Sequence, residues 1–188
     1  MMLIEEDVKK NLRKFETVFY PIDEDVEKHA VEYGESLKNS TYKSNNSRIA
    51  PVAIFLAGKD YGYPLTRGVI EKVFGFFIKI EFLESARGTL RKNGFSIPDY
   101  YEPEHYISTI LKVLTEKGKI PKDYVEKMEE MAKRKIQEMK KTKPTTMAIT
   151  AVYRTAHEKG ISISKQDMQK IFSITPTISK EESELYSS

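Results

Sequence analysis

Three histidines (His29, His105 and His157) and no cysteine leave little material for metal or thiolate chemistry. The histidines are scattered, with none at the spacing of a metal-ligand pair. Without cysteine there can be no disulfide, no Cys-ligated zinc and no thiolate nucleophile, which fits a reducing, cytoplasmic setting. The acids Asp23 with Asp25 and Glu181 with Glu182 read as helix-terminus or tail charges. No Gly-rich phosphate loop and no nucleophile–base spacing occurs. The sequence therefore predicts no enzymatic activity, no cofactor and no metal.

What remains is charge and exposed apolar surface. Thr66-Arg67 and Ser164-Lys165 each place a hydroxyl cap and a cation at the start of a helix, where backbone N–H groups attract phosphate. An ordinary N-cap beside a solvated cation is the competing reading of the same residues. Lys133-Arg134-Lys135, with Lys140, Lys141 and Lys143, forms a basic run that is either a nucleic-acid patch or a wet helix face. Phe74, Phe76, Phe77, Ile78, Ile80 and Phe82 crowd one stretch; some belong in a core, and the excess predicts an exposed apolar patch for a partner.

The formal net charge of +3 over 188 residues is unevenly spread. Residues 1–42 carry −4, 43–95 carry +5, 96–111 carry −3, 112–143 carry +5, and 144–188 balance. A basic middle of this kind could face nucleic acid or an acidic protein. The sequence pI of about 8.8 falls short of the usual nucleic-acid footprint, so a solvated, Lys-rich surface is the default. No apolar run approaches the ~20 residues needed to cross a bilayer, and the acidic start is not a signal peptide.

The elements that must position these groups read as helices. Apolar residues at Tyr124, Val125, Met128, Met131, Ala132, Ile136 and Met139 recur three and four apart. Glu129–Lys133 and Glu130–Arg134 are i,i+4 pairs on the wet side of that helix. Pro121 suits its first turn, and Pro144 opens the next helix, whose face carries Ala148, Ala151, Val152, Thr155 and Ala156. Gly160 stops that helix. Ser164 and Asp167 then form a capping-box-like start for a helix carrying Met168, Ile171 and Phe172.

Residues 48–75 slide by 98 positions onto 146–173 without a gap. Ala50 meets Ala148, Ala53 meets Ala151, Gly62 meets Gly160, Lys72 meets Lys170 and Phe74 meets Phe172. Conservative matches preserve one order of elements: small-residue helix, glycine stop, hydroxyl cap, basic residue, apolar helix. Earlier helices are expected near 5–19 and 24–38 in the first copy, and near 103–117 and 122–140 in the second. The chain thus reads as all-α, with repeats over 1–95 and 96–188 and a seam near Asn93–Asp99.

Two tandem helical repeats of this size resemble the cyclin-like core of transcription factor IIB and its archaeal counterpart, transcription factor B. Lys143-Pro144-Thr145-Thr146-Met147-Ala148-Ile149-Thr150-Ala151-Val152-Tyr153 is similar to the family's Pro- and Ala-rich helix. Gly160 to Ile174 resembles its glycine, hydroxyl-cap and apolar-helix stretch. Pro103-Glu104-His105-Tyr106-Ile107 resembles the opening of its second repeat. The resemblance implies two tandem cyclin-like repeats and, as partners, TATA-binding protein and RNA polymerase.

The chain departs from that pattern in two places. No cysteine exists to build the family's zinc ribbon. In the second helix-turn-helix, where the family places basic residues on a promoter-reading helix, Lys180 is followed by Glu181, Glu182 and Glu184. The first copy keeps more charge. The candidate DNA contacts are therefore Arg67, Lys79, Arg87, Arg91, Lys92, Lys165 and Lys180, giving weak and sequence-indifferent binding. Phe76, Phe77, Lys133 and Arg134 form the candidate protein-partner surface. The expected protein is a monomeric, transcription factor B-like modulator of transcription. Its rivals are a cyclin-fold adaptor outside transcription and a sequence-specific helix-turn-helix regulator.

Overall fold

The computed structural model describes residues 3–40, 46–75 and 77–179, and they fold as α-helices joined by short turns, with no β-strand among them. The chain divides into two compact units, 1–100 and 101–188.

In the first unit, α1 (Ile4–Val18) and α2 (Glu24–Lys38) both pack on α3 (Asn46–Asp60), and α4 (Arg67–Phe74) and α5 (Ile80–Lys92) complete the bundle. Each of the first two helices has one apolar stripe. Val8, Leu12 and Phe15 in α1, and Val26, Ala30, Tyr33 and Leu37 in α2, are buried at three- and four-residue spacing. The middle helix is different. Ile49, Ala50, Val52, Ala53, Ile54, Phe55, Leu56 and Ala57 are all buried, so α3 is apolar nearly all round and runs through the core. The turn Tyr61-Gly62-Tyr63-Pro64 is fixed by Tyr63, which stacks on Tyr20 and accepts a hydrogen bond from the Asp23 backbone N–H at 3.1 Å.

In the second unit, a 3₁₀ turn (Pro103–Tyr106) leads into α6 (Ile107–Glu116), and a second (Lys122–Tyr124) leads into α7 (Val125–Glu138). These helices pack on α8 (Pro144–Glu158), which is followed by α9 (Lys165–Phe172). Pro144 occupies the first turn of α8, where a missing N–H costs nothing. Met147, Ala148, Ile149, Thr150, Ala151, Val152, Tyr153, Thr155 and Ala156 are buried, so α8 fills the same central role as α3.

The 98-residue frame runs through both units. Asn46 and Pro144 begin the central helices and Asp60 and Glu158 end them; Arg67–Phe74 corresponds to Lys165–Phe172. Val18 and Glu116 end the first helices, and Glu24 and Lys122 begin the next elements, at the same offset. The stops match atom for atom. Gly62 and Gly160 hold φ of 78° and 71°, Tyr63 N–H returns to Gly58 O, and Ile161 N–H returns to Ala156 O at 2.9 Å in each case. This is the left-handed helix ending that glycine makes inexpensive. The frame would put an α5 equivalent from Ile178 onward. There, residues 174–179 are irregular and 180–188 lie outside the described residues. Thr177 N–H donates to Thr150 Oγ1 at 3.0 Å, and Ile174 and Pro176 are buried, so this stretch turns back onto α8.

The segment 96–99, which the charge pattern and seam assigned to the second repeat, is bound to the first unit. Arg91 Nε donates to Ile97 O at 2.7 Å, and an Arg91 terminal nitrogen donates to Asp99 Oδ1 at 2.6 Å. Phe95 meets Tyr33 edge-on at 5.0 Å between ring centroids, and Ile97 is buried.

Candidate functional site

The two capped helix starts are built alike and charged differently. Thr66 Oγ1 accepts from Val69 N–H at 3.2 Å, and Ser164 Oγ accepts from Asp167 N–H at 3.0 Å. In α9 the third helical residue is Asp167, whose Oδ2 accepts from Ser164 N–H at 3.0 Å and closes a capping box. Lys119 Nζ adds an ion pair to its other oxygen at 2.7 Å. The Lys119 and Ser164 bonds hold the Asp167 carboxyl well below the usual aspartate range, at about 2. A phosphate offered to this helix start would meet a resident carboxylate. In α4 the equivalent residue is Val69, so that end keeps its positive field and has Arg67 beside it.

Arg67 reaches out of α4 to the turn before α5. Its Nη1 donates to Ile78 O at 3.4 Å, and its guanidinium lies 5.7 Å from the Phe77 ring centroid. Phe77 is 66% exposed and Ile80 56%, whereas Ile78 is buried. Beside this turn lies an open groove of about 340 Å³ lined by Arg48, Phe77, Ile78, Lys79 and Phe82. It brings together two of the sequence candidates, Phe77 and Lys79, with Arg67 at its edge. Arg48 was not among the candidates, because it sits in no motif; its partner in the 98-residue frame is the uncharged Thr146. Among the described residues, Arg48, Arg67 and Lys79 form no ion pair with a carboxylate.

The other candidates lie elsewhere. Arg87 is only 13% exposed at its side chain; it pairs with Glu84 at 3.3 Å and reaches Asp99 O at 3.5 Å. Arg91 holds Ile97 and Asp99, as above. Both arginines are thus occupied in fastening α5 to the segment that follows it, while Lys92 is exposed on the same helix. Burial, with Arg87 beside it, pushes the Lys59 ammonium down to about 8, and its charge rests 5.3 Å over the Phe55 ring. In the second unit, Lys165 is half-buried at the start of α9. Lys133 pairs with Glu129 at 2.7 Å, Arg134 with Glu130, and Lys135 with Glu158 on α8, so much of that basic run is neutralised locally. Phe76 and Lys180 lie outside the described residues.

Each histidine has a packing partner. His29 lies between Glu32 (3.3 Å) and Asp60 (3.9 Å), with Tyr33 bonded to the same Asp60 oxygen at 2.5 Å. His105 stacks on Tyr101, and His157 Nε2 is 2.8 Å from Ile163 O. Among the described residues, no three His, Asp or Glu side chains gather as a metal site, and no helix is long and apolar enough to cross a membrane.

No protein-family model matches this chain, and no curated protein matches it.

Proposed function

We propose that this protein is a divergent relative of transcription factor IIB and archaeal transcription factor B. In this reading it binds components of the initiation machinery, TATA-binding protein or RNA polymerase, and modulates transcription. The observation that carries the reading is the gap-free 98-residue frame. It relates two helical units in which equivalent elements begin, cap and stop at equivalent positions. A duplicated helical unit is what a cyclin-like core requires, and the resemblance supplies the partners. No catalytic role is assigned.

Contact with DNA is a minor part of the proposal. Arg87 and Arg91 are committed to internal bonds, and Asp167 occupies the second capped helix start. Of the candidate contacts in the first unit, Arg67, Lys79 and Lys92 remain to meet a phosphate backbone, so binding should be weak and indifferent to sequence, near the ~10⁻⁴–10⁻⁶ M of non-specific contacts.

A pull-down of purified archaeal RNA polymerase and TATA-binding protein on the immobilised full chain tests the proposal. Retention of either at moderate salt supports it. Retention of neither favours the second reading, a protein-binding adaptor outside transcription, which the exposed apolar turn at Phe77 supports on its own. Nanomolar preference for one promoter sequence over a scrambled control would overturn both.

A further inference from the structure

The groove between the start of α3 and the α4–α5 turn combines two features that rarely lie open together. Three of its lining residues are apolar, Phe77, Ile78 and Phe82, and two are cationic, Arg48 and Lys79. Arg67 adds a third cation, laid against Phe77. No carboxylate lines it. Glu81, in the first turn of α5, is exposed outside the lining, and Glu84 is taken by Arg87. Elsewhere among the described residues, Lys28, Lys119, Lys133, Arg134 and Lys135 each have a carboxylate partner. The groove is a place where positive charge is left without its counterpart, beside an aromatic ring that burial would normally hide.

We propose that this groove docks a short acidic segment of a partner protein. An aliphatic or aromatic side chain of that segment sets against Phe77 and Phe82, and its flanking carboxylates meet Arg48, Arg67 and Lys79. Charge complementarity selects the acidic partner: the carboxylates supply what the three cations lack, and a guanidinium donates two parallel N–H bonds to a carboxylate. The apolar lining selects a peptide over a nucleic acid. A phosphate backbone offers nothing to bury against Phe77 and Phe82. It also needs a row of free cations, and Arg87 and Arg91, which would extend the row along α5, hold Glu84 and Asp99 instead. A volume of about 340 Å³ accommodates one large side chain with its neighbours, the scale of an anchor pocket. The inference rests on the groove alone. The polymerase pull-down can fail while it stands, and the reverse.

The test is fluorescence anisotropy with the full chain and a labelled synthetic peptide in which glutamate and aspartate alternate with leucine and phenylalanine. Two controls accompany it: glutamine in place of every acid, and alanine in place of every apolar residue. Binding in the ~10⁻⁵–10⁻⁶ M range is expected, with each control weaker by about tenfold or more. Phe77→Ala should weaken binding about three- to tenfold, as should Arg48→Ala with Lys79→Ala. All three residues are exposed, and matched thermal midpoints will show that the variants fold. Lys170→Ala, on the exposed face of α9, should bind as the parent chain does. Three results would overturn the proposal: no saturation at ~1 mM peptide, equal affinity for either control peptide, or displacement of the peptide by single-stranded oligo-dT that binds more tightly. The last would make the groove a nucleic-acid site.

Discussion

Gly75 and Ser173, 98 positions apart, end equivalent helices in the same left-handed backbone conformation, with φ of 75° and 54°. Glycine adopts it without penalty, whereas an L-residue with a Cβ loses about 1–2 kcal/mol there. Ser173→Gly should therefore stabilise the second unit by about 0.5–1 kcal/mol, part of the gain being returned to the freer unfolded chain. Gly75→Ala should cost the first unit about 1 kcal/mol. Chemical denaturation of both variants measures the difference; a destabilising Ser173→Gly would mean the serine side chain has a role its backbone does not reveal.

Ala53 and Ala151 occupy the same place in the two central helices, and both are fully buried. Close helix packing leaves no room for a larger side chain. Ala53→Leu and Ala151→Leu should each destabilise by roughly 1–3 kcal/mol through overpacking. Equal stability of either variant by urea titration would show that the helices there can separate.

The Asp167 carboxylate links α9 to Lys119 and to the Ser164 cap. Its pKa is depressed in the folded protein, so the stability it brings is present above the unfolded value. That stability is lost as pH falls from about 4 towards 2. The side chain is 29% exposed, and after discounting for solvent screening the contribution is about 1 kcal/mol. Asp167→Asn should lower stability at neutral pH and flatten this part of the acid limb. An unchanged acid profile would remove Asp167 from the account.

Lys59 acts in the opposite sense. Its pKa is lowered to about 8, so the folded chain binds fewer protons than the unfolded chain between that value and the ordinary lysine range. Stability due to this group rises with pH through that window, and at neutral pH the buried charge is a cost. Lys59→Met should be more stable than the parent at pH 7, by about 1–3 kcal/mol, with the advantage shrinking towards pH 10. Thermal unfolding across pH 7–10 checks both the sign and the slope.

Arg91 and Lys92 are neighbours with different duties. Arg91→Ala removes two bonds to the 97–99 segment and should cost about 1–3 kcal/mol, as charge-assisted hydrogen bonds do. Lys92→Ala should change stability by less than about 0.5 kcal/mol. Proteolysis near Asp99 should accelerate in the first variant only. The same comparison separates a loss of DNA affinity caused by lost charge from one caused by a loosened segment.

Much of the helical framework was legible because its signals are local. Pro144, the Ser164–Asp167 cap and the two glycine stops lie within a few residues of the ends they define, and the repeat doubled the glycine stop and the hydroxyl cap. The Glu129–Lys133 and Glu130–Arg134 pairs were legible for the same reason. Pairings that cross between elements were not. Arg91 reads as a free cation because nothing in its own helix shows that Asp99 and the Ile97 carbonyl lie opposite; Arg87 has a local partner in Glu84, but its second bond, to Asp99 O, is equally hidden. Lys135 meets Glu158 only through the packing of α7 on α8. Arg48 went unmarked for want of a motif around it, and joins Phe77 and Lys79 only once the α4–α5 turn is folded beside α3.

The unbroken 98-residue spacing has a practical consequence. Chain length between the central helix, its stop and the following capped helix is identical in the two units, so a hybrid could exchange 46–75 for 144–173 without adjusting a linker. The two segments behave as interchangeable cassettes as far as length is concerned. The cost of the exchange would come from side-chain fit (Val69 against Asp167, Gly58 against Ala156, Lys59 against His157) and from Ser173 replacing Gly75 at a left-handed position. Such a hybrid would carry the carboxylate-closed helix start into the unit whose own is open, moving charge between the halves while leaving the backbone path untouched.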